Sequence, residues 1–187
     1  MESGSAYGRV FKPRASLKLV SYSWIQPRCE PISTRRERKK NGLDQALGRS
    51  RGGLSTKIHA ATIDENCAVA LHLTPGQAHD GRQFESLYES LDADNVLESA
   101  ALDRGYDADR IRERLALDGI EPVIPPISTR SQKLHYDKER YRERNRIERF
   151  FNKIKNFRRI ATRYDKLRKT FFAAVYLCAS FLIAKIR

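Results

Sequence analysis

The pattern of apolar residues predicts an α/β fold: a mixed sheet flanked by helices, with two further helices at the C-terminal end. Three observations predict it. Residues 56–63 and 67–73 alternate apolar and polar side chains on either side of a polar turn, as the arms of an antiparallel hairpin do. Helical and strand patterns take turns between residues 81 and 127. From residue 138 onward the apolar residues recur at helical spacing.

Taken in order, residues 1–38 show no sustained period. Val20 to Ile25 reads as a short strand, cut off by Pro27 and Pro31. The run RRERKK at 35–40 reads as a solvated basic patch, and residues 41–53 as a Gly-rich loop. In the hairpin, Ile58 and Ala60 share one face, as do Val69, Leu71 and Leu73. Asp64-Glu65-Asn66 makes the turn, and Pro75-Gly76 ends the second strand. Asp80 is placed to cap a helix over 81–91 that buries Phe84, Leu87 and Tyr88. Residues 95–102 form a third strand that delivers Asp103, and Gly105 allows a sharp turn after it. Asp107 is placed to cap a helix running to Leu117, with Ile111 and Leu115 inward and Asp118-Gly119 at its end. PVIPPI at 122–127 suits a short edge strand, and 128–137 is a polar linker. One long helix is expected from Lys138 to Arg163 and a last one from Arg168 to Ile186.

The formal net charge is +13, unevenly spread. Residues 1–56 carry +8, residues 57–125 carry −8 and residues 126–187 carry +13. Two basic ends around an acidic middle suit a polyanion partner, most simply nucleic acid. Cys29, Cys67 and Cys178 are far apart and odd in number, so neither a disulfide framework nor a metal motif follows, which fits a reducing cytosol. The four histidines form no ligand motif, and His59 and His72 lie in strands, where a structural role is expected. No uncharged apolar core follows Met1, so no signal peptide is expected. The apolar run Phe171 to Ala184 falls short of the ~20 residues that span a bilayer. The expected location is cytoplasmic, at the nucleoid.

The stretch YRERNRIERFFNKIK at 141–155 carries the sharpest signal. On a helical wheel Tyr141, Arg144, Glu148 and Lys155 fall within about 60° of one another, while Ile147, Phe150, Ile154 and Phe157 cluster on another face. The helix can bury one side and present a lone acid among basic and aromatic groups on the other. Most such faces are simply wet. The spacing is more specific: Tyr, two residues, Arg, three residues, Glu, six residues, Lys. It stands beside the words GRSRGGLSTKIHA at 48–60, LTPGQAHDGRQF at 73–84, LDRGYDADRIRERL at 102–115 and RNRIERFFNKIKNFRRIATRYDK at 144–166.

Together these resemble the catalytic domain of DDE transposases of bacterial insertion sequences, insertion-sequence family five, over residues 39–187. The resemblance implies a ribonuclease-H-like core, whose first strand should lie within residues 15–35. It implies DNA transposition by metal-dependent phosphodiester cleavage and strand transfer, double-stranded DNA at element ends and target as partner, and a homo-oligomer. It implies a pair of Mg2+ or Mn2+ ions, which would activate the attacking oxygen and stabilise the leaving one. Carboxylates suit such hard cations. Asp103 matches the family's second acid and Glu148 its third, each both catalytic and metal-binding. Tyr141, Arg144, Lys155, Arg158 and Arg159 would hold DNA. Asp80 also matches a family position, although capping is enough to explain it.

The family's first acid belongs in a word like Asp-Ser-Thr on the first core strand. Before the hairpin the acids are Glu2, Glu30, Glu37 and Asp44, and none lies in such a word. Where the acid is expected the chain reads VSYSWIQ. The first core strand is therefore expected to be degraded or missing. Residues 1–38 are expected to be divergent and poorly ordered, from a shifted frame or a truncated element, which translating the upstream DNA in the other two frames tests. Two readings stand: a DDE catalytic domain, active or decayed, and a non-catalytic DNA-binding product that competes with full-length transposase at element ends.

Overall fold

The computed structural model of the chain describes residues 15–25 as backbone, and residues 45–50, 53–91, 97–132, 134–165 and 167–185. The basic run at 35–40, Pro27 and Pro31, residues 95–96 and Ile186 lie outside the described residues.

Ala15–Ile25 forms β1, and the sheet is centred on it. Antiparallel to it runs β3 (Gly53–Thr62), with Val20 opposite Ala60. On its other side β5 (Leu97–Leu102) runs parallel, with Leu19 beside Leu102. β4 (Ala68–Pro75) pairs antiparallel with β3, and β6 (Glu121–Val123) pairs parallel with β5. The spatial order is β4-β3-β1-β5-β6, with the short β2 (Gly48–Ser50) pairing the first residues of β3. A strand is thus present where the first core strand was expected to be degraded or missing, and it is longer than the short Val20 to Ile25 strand expected within the poorly ordered segment 1–38. Backbone hydrogen bonds to two neighbours help to hold this strand. Residues 48–50 also leave the predicted loop, because Ser50 and Gly48 pair with Gly53 and Ser55.

Helices cover both faces. α1 (Phe84–Glu89) and α2 (Asp109–Leu117) lie on one face, where Phe84, Leu87, Ile111 and Leu115 pack with Ala61, Ala70, Ala100 and Leu102. The other face carries α3 (Lys138–Arg142), α4 (Asn145–Lys155), α5 (Arg158–Ala161) and α6 (Arg168–Ala184). Ile147, Phe150, Phe151 and Ile154 of α4 and Phe171 and Val175 of α6 bury against Ile58, Ala60, Leu71 and Leu73. The hairpin faces are as expected except for Val69. Ala61 pairs with Ala70 but Thr62 with Ala68, which leaves Val69 as the extra residue of a bulge and turns it toward the opposite layer.

The expected long helix is broken into three. Between α3 and α4 the amides of Glu143 and Arg144 bond back three residues, to Arg140 and Tyr141. The backbone angles there (φ −54°, ψ −24° at Arg144) are those of a tightened 3-10 turn. A second break at Asn156-Phe157 precedes α5. α2 ends as expected, with Gly119 at φ 72° and the Ile120 amide bonding back to Leu115.

Two expected caps have other work. Asp80 opens a 3-10 turn whose N-cap is His79, and its carboxylate accepts from Lys57 Nζ at 2.7 Å. The Asp107 side chain is fully buried; it accepts from Arg112 Nε and Nη2, Arg130 Nη1 and the Ile127 amide, while α2 begins two residues later. Gly105 does not serve by a left-handed conformation. A Cβ there would lie 3.1 Å from Asp80 Oδ2, so it permits close approach.

Candidate active site

The parallel arrangement brings the C-terminal ends of β1, β4 and β5 to one edge of the sheet. Asp103 is the first residue past β5. Its backbone stays extended (φ −73°, ψ 161°), so the alternation of the strand carries on through it. Ala100 and Leu102 face α1 and α2, which turns Asp103 toward the α3–α4 side. Its Oδ1 accepts from the Arg104 amide at 2.7 Å and caps the 3-10 turn Arg104–Tyr106.

α3 is fixed against the same edge. Asp137 caps it, accepting from the amides of Glu139 and Arg140, and Arg140 reaches Glu121 at 2.8 Å and Glu98 at 3.3 Å on β6 and β5. This sets Tyr141 half-buried beside Tyr136, with ring centroids 5.6 Å apart in an edge contact. The Arg144 guanidinium lies 5.4 Å from the centre of the Tyr141 ring, and its Nη2 donates to Glu148 Oε1 at 2.6 Å. Tyr141, Arg144 and Glu148 therefore form one continuous chain of contacts, as the wheel predicted, although the helix between them is tightened. Burial pushes the Tyr141 hydroxyl above its ordinary pKa; the charge of Asp103 adds to this, and Arg144 opposes it. Asp103 thus lies within electrostatic reach of Tyr141.

The other residues expected to hold DNA lie further along the chain. Lys155 ends α4, two turns beyond Glu148, and is half-buried. Arg158 is exposed at the start of α5. Arg159 grips Asp165 with two hydrogen bonds of 2.8 and 3.1 Å, which holds the Asp165 carboxyl below its usual range.

Beneath the Asp103 turn lies a network whose pairings residue patterns did not show. Lys57 donates to Asp80 Oδ1 and to the Ala78 carbonyl. His59 is fully buried, bonded through Nε2 to Thr74 Oγ1 at 2.8 Å, with the hydroxyl of buried Tyr106 3.5 Å from Nδ1. Burial lowers the His59 pKa to about 4; Lys57 and His72 add to this and Asp80 opposes it. Ala61, two residues beyond His59 on β3, faces α1 and α2, so Asp80 and its Lys57 partner sit across the sheet from Asp103 and Glu148. Arg163, 2% exposed, donates to Thr56 Oγ1, the Gln45 carbonyl and the Asp165 carbonyl, with its guanidinium 4.7 Å from the Phe171 ring centre. In sequence it looks like one more basic residue of a basic helix, and only its place among Thr56 and Phe171 marks it.

Residues 31–183 match the family described as Transposase DDE domain. The chain belongs to the DDE transposase family. A Brucella ovis protein named as transposase for insertion sequence element IS6501 is 34% identical over 131 residues, 69% of this chain and 98% of that one. The function is DNA transposition, and the activity that family membership implies is cleavage and transfer of DNA strands. DDE transposases generally use divalent metal ions. The donor set among the described residues falls short of a two-ion centre. Among the described residues no three His, Cys, Asp or Glu side chains gather as metal ligands. β1 runs beside Asp103 and contains no Asp or Glu, and Glu148 is closed on Arg144. No helix among the described residues is long and apolar enough to cross a membrane.

Proposed function

We propose that this DDE domain binds duplex DNA at insertion-sequence ends, as its Brucella relative's name suggests, and catalyses little or no strand transfer on its own. Tyr141, Arg144, Lys155, Arg158 and Arg159 would hold the DNA. Asp103 and Glu148 would be what remains of the carboxylates for Mg2+ or Mn2+. The observation that carries this reading is the Tyr141–Arg144–Glu148 chain, with Asp103 in electrostatic reach of Tyr141, beside a central strand that has no acid. The sequence words favour insertion-sequence family five, a catalytic unit over 39–187 and a homo-oligomer; a DNA substrate favours the cytoplasm, at the nucleoid. The strand order, with β1 central, antiparallel to β3 and parallel to β5, supports a ribonuclease-H-like core.

Phosphate contacts dominate such binding and release counterions, so affinity should fall steeply with salt and should not need magnesium. Anisotropy of a labelled duplex carrying the element's terminal repeat tests this, with cleavage of the same duplex followed in Mg2+ and Mn2+. Salt-steep binding with cleavage at background is expected. Absent or salt-independent binding overturns the DNA reading. Metal-dependent turnover that Asp103→Ala abolishes overturns the claim of low activity and returns the chain to the active transposases. The non-catalytic competitor is favoured by the acid-free β1, and it predicts that excess chain inhibits an active transposase on the same ends.

A further inference from the structure

The cations around the Asp103 edge are not equally available. Of the residues expected to hold DNA, Arg144 is closed on Glu148 and Arg159 on Asp165. Arg140 answers Glu98, Glu121 and Asp137, and Arg149 and Lys153 both reach Glu65. A guanidinium already matched by a carboxylate must give up one anion to hold another. Arg104 differs. It is exposed, and its guanidinium has no hydrogen bond or ion pair to any described residue.

Its backbone, by contrast, is held at both ends. The Arg104 amide donates to Asp103 Oδ1 at 2.7 Å, and its carbonyl accepts from the Asp107 amide at 3.0 Å. The Tyr106 amide bonds back to the Asp103 carbonyl, and Tyr106 itself is fully buried. Gly105 lies against Asp80. α3 packs on β5, the strand that leads into this turn. Two guanidinium groups act on Tyr141 of that helix: Arg144, 5.4 Å from its ring centre, and Arg104, whose charge reaches its hydroxyl. Burial keeps that hydroxyl protonated, so it can donate to an anion. A hollow of about 700 Å³ beside α3 offers no rival place. It is lined by Glu121, Asp137 and Glu139 against Arg112 and Lys138, and its excess of acid turns phosphate away.

We propose that Arg104 and the Tyr141 hydroxyl together grip one phosphate of the DNA strand that passes Asp103. The proposal rests on the DNA reading above and adds to it a contact that the expected set of DNA-holding residues does not contain. The fixed turn leaves only the Arg104 side chain to be ordered, so little freedom is lost when the contact forms. Such a contact reads no base. It sets which phosphate of the strand lies beside Asp103.

Anisotropy of the full chain on a labelled terminal-repeat duplex tests this. Arg104→Ala should weaken binding roughly tenfold and lower the salt slope by about 1, with an unchanged thermal melt because the side chain is exposed. Arg104→Lys should restore the slope but not the full affinity, since it keeps the charge and loses the fork. Lys185→Ala is the control: this exposed cation follows α6, which packs on β4 at the opposite edge of the sheet from β6, and its loss should change neither quantity. A second measurement moves a single uncharged methylphosphonate along the strand near the element end. One position should cost the wild type affinity, and Arg104→Ala should bind that duplex as tightly as the unmodified one. A merely structural role would lower binding to every duplex alike. Wild-type affinity in Arg104→Ala, an equal loss in Lys185→Ala, or a loss spread evenly over the modified duplexes overturns the proposal and leaves the DNA reading standing. Absence of binding by the wild type overturns both.

Discussion

Acid should unfold this chain partly through one histidine. His59 sits in an apolar layer between Thr74 and Tyr106, and its pKa is lowered from 6.5 to about 4. The folded state thus prefers the neutral ring, whereas the unfolded chain accepts a proton below about pH 6.5. The associated stability is present in full above 6.5, declines as the pH falls toward 4 and is gone below it. A shift of that size corresponds to roughly 3 kcal/mol, at 1.36 kcal/mol per unit. This is a large part of the 5–15 kcal/mol that holds a typical domain together. His72, also lowered by burial, adds a smaller loss of the same sign. The assay is urea unfolding at several pH values between 7 and 4, run on the wild type and on His59→Gln. Glutamine keeps a polar end for Thr74 but cannot titrate, so the slope of stability against pH should flatten in the variant. The lost ring packing lowers its stability at pH 7, which is why slopes are compared. Equal slopes in the two proteins would refute the reasoning, as would a His59 NMR titration with a midpoint near 6.5.

Four further outcomes follow from the geometry. Asp107→Ala leaves Arg112 and Arg130 facing each other without their shared carboxylate and frees the Ile127 amide, so a loss of about 3 kcal/mol is expected in urea unfolding. Phe150→Ala empties a fully buried site between α4 and the sheet and should cost about 3–5 kcal/mol in the same assay. Arg158→Ala should reduce the salt slope of duplex binding by about 1, whereas Arg159→Ala should change it less because Asp165 already holds that guanidinium. Arg144→Gln should increase Mn2+ uptake, read by electron paramagnetic resonance, since it releases Glu148 from a 2.6 Å ion pair, and Glu148→Gln should cancel the gain.

Much of the layering could be read from periodicity, because burial on one face leaves a period in the chain. Ile58, Ala60, Leu71 and Leu73 announced one face of the hairpin, and Ile147, Phe150 and Ile154 the helix that covers it. The Tyr141–Arg144–Glu148 face came from spacing, and Asp103 from the family resemblance of the words around it. What period and spacing miss is any feature decided by partners distant in sequence. The Val69 bulge depends on register against β3. Asp80 and Asp107 look like caps because Asp before a helix ordinarily is one, yet Lys57 and Arg130, each more than twenty residues away, claim them. β1 was read short because its sequence has little strand patterning, and its length is set by the neighbours on either side.

The place of β1 bears on how a gene of this kind can decay. A middle strand is held in part by main-chain groups that every residue except proline supplies, so its slot constrains side chains less narrowly than a catalytic position does. Phosphodiester chemistry asks for one carboxyl at one position of that same slot. Architecture and reactivity therefore have very different tolerances to a rewritten stretch of coding sequence. A copy can lose the second abruptly and keep the first.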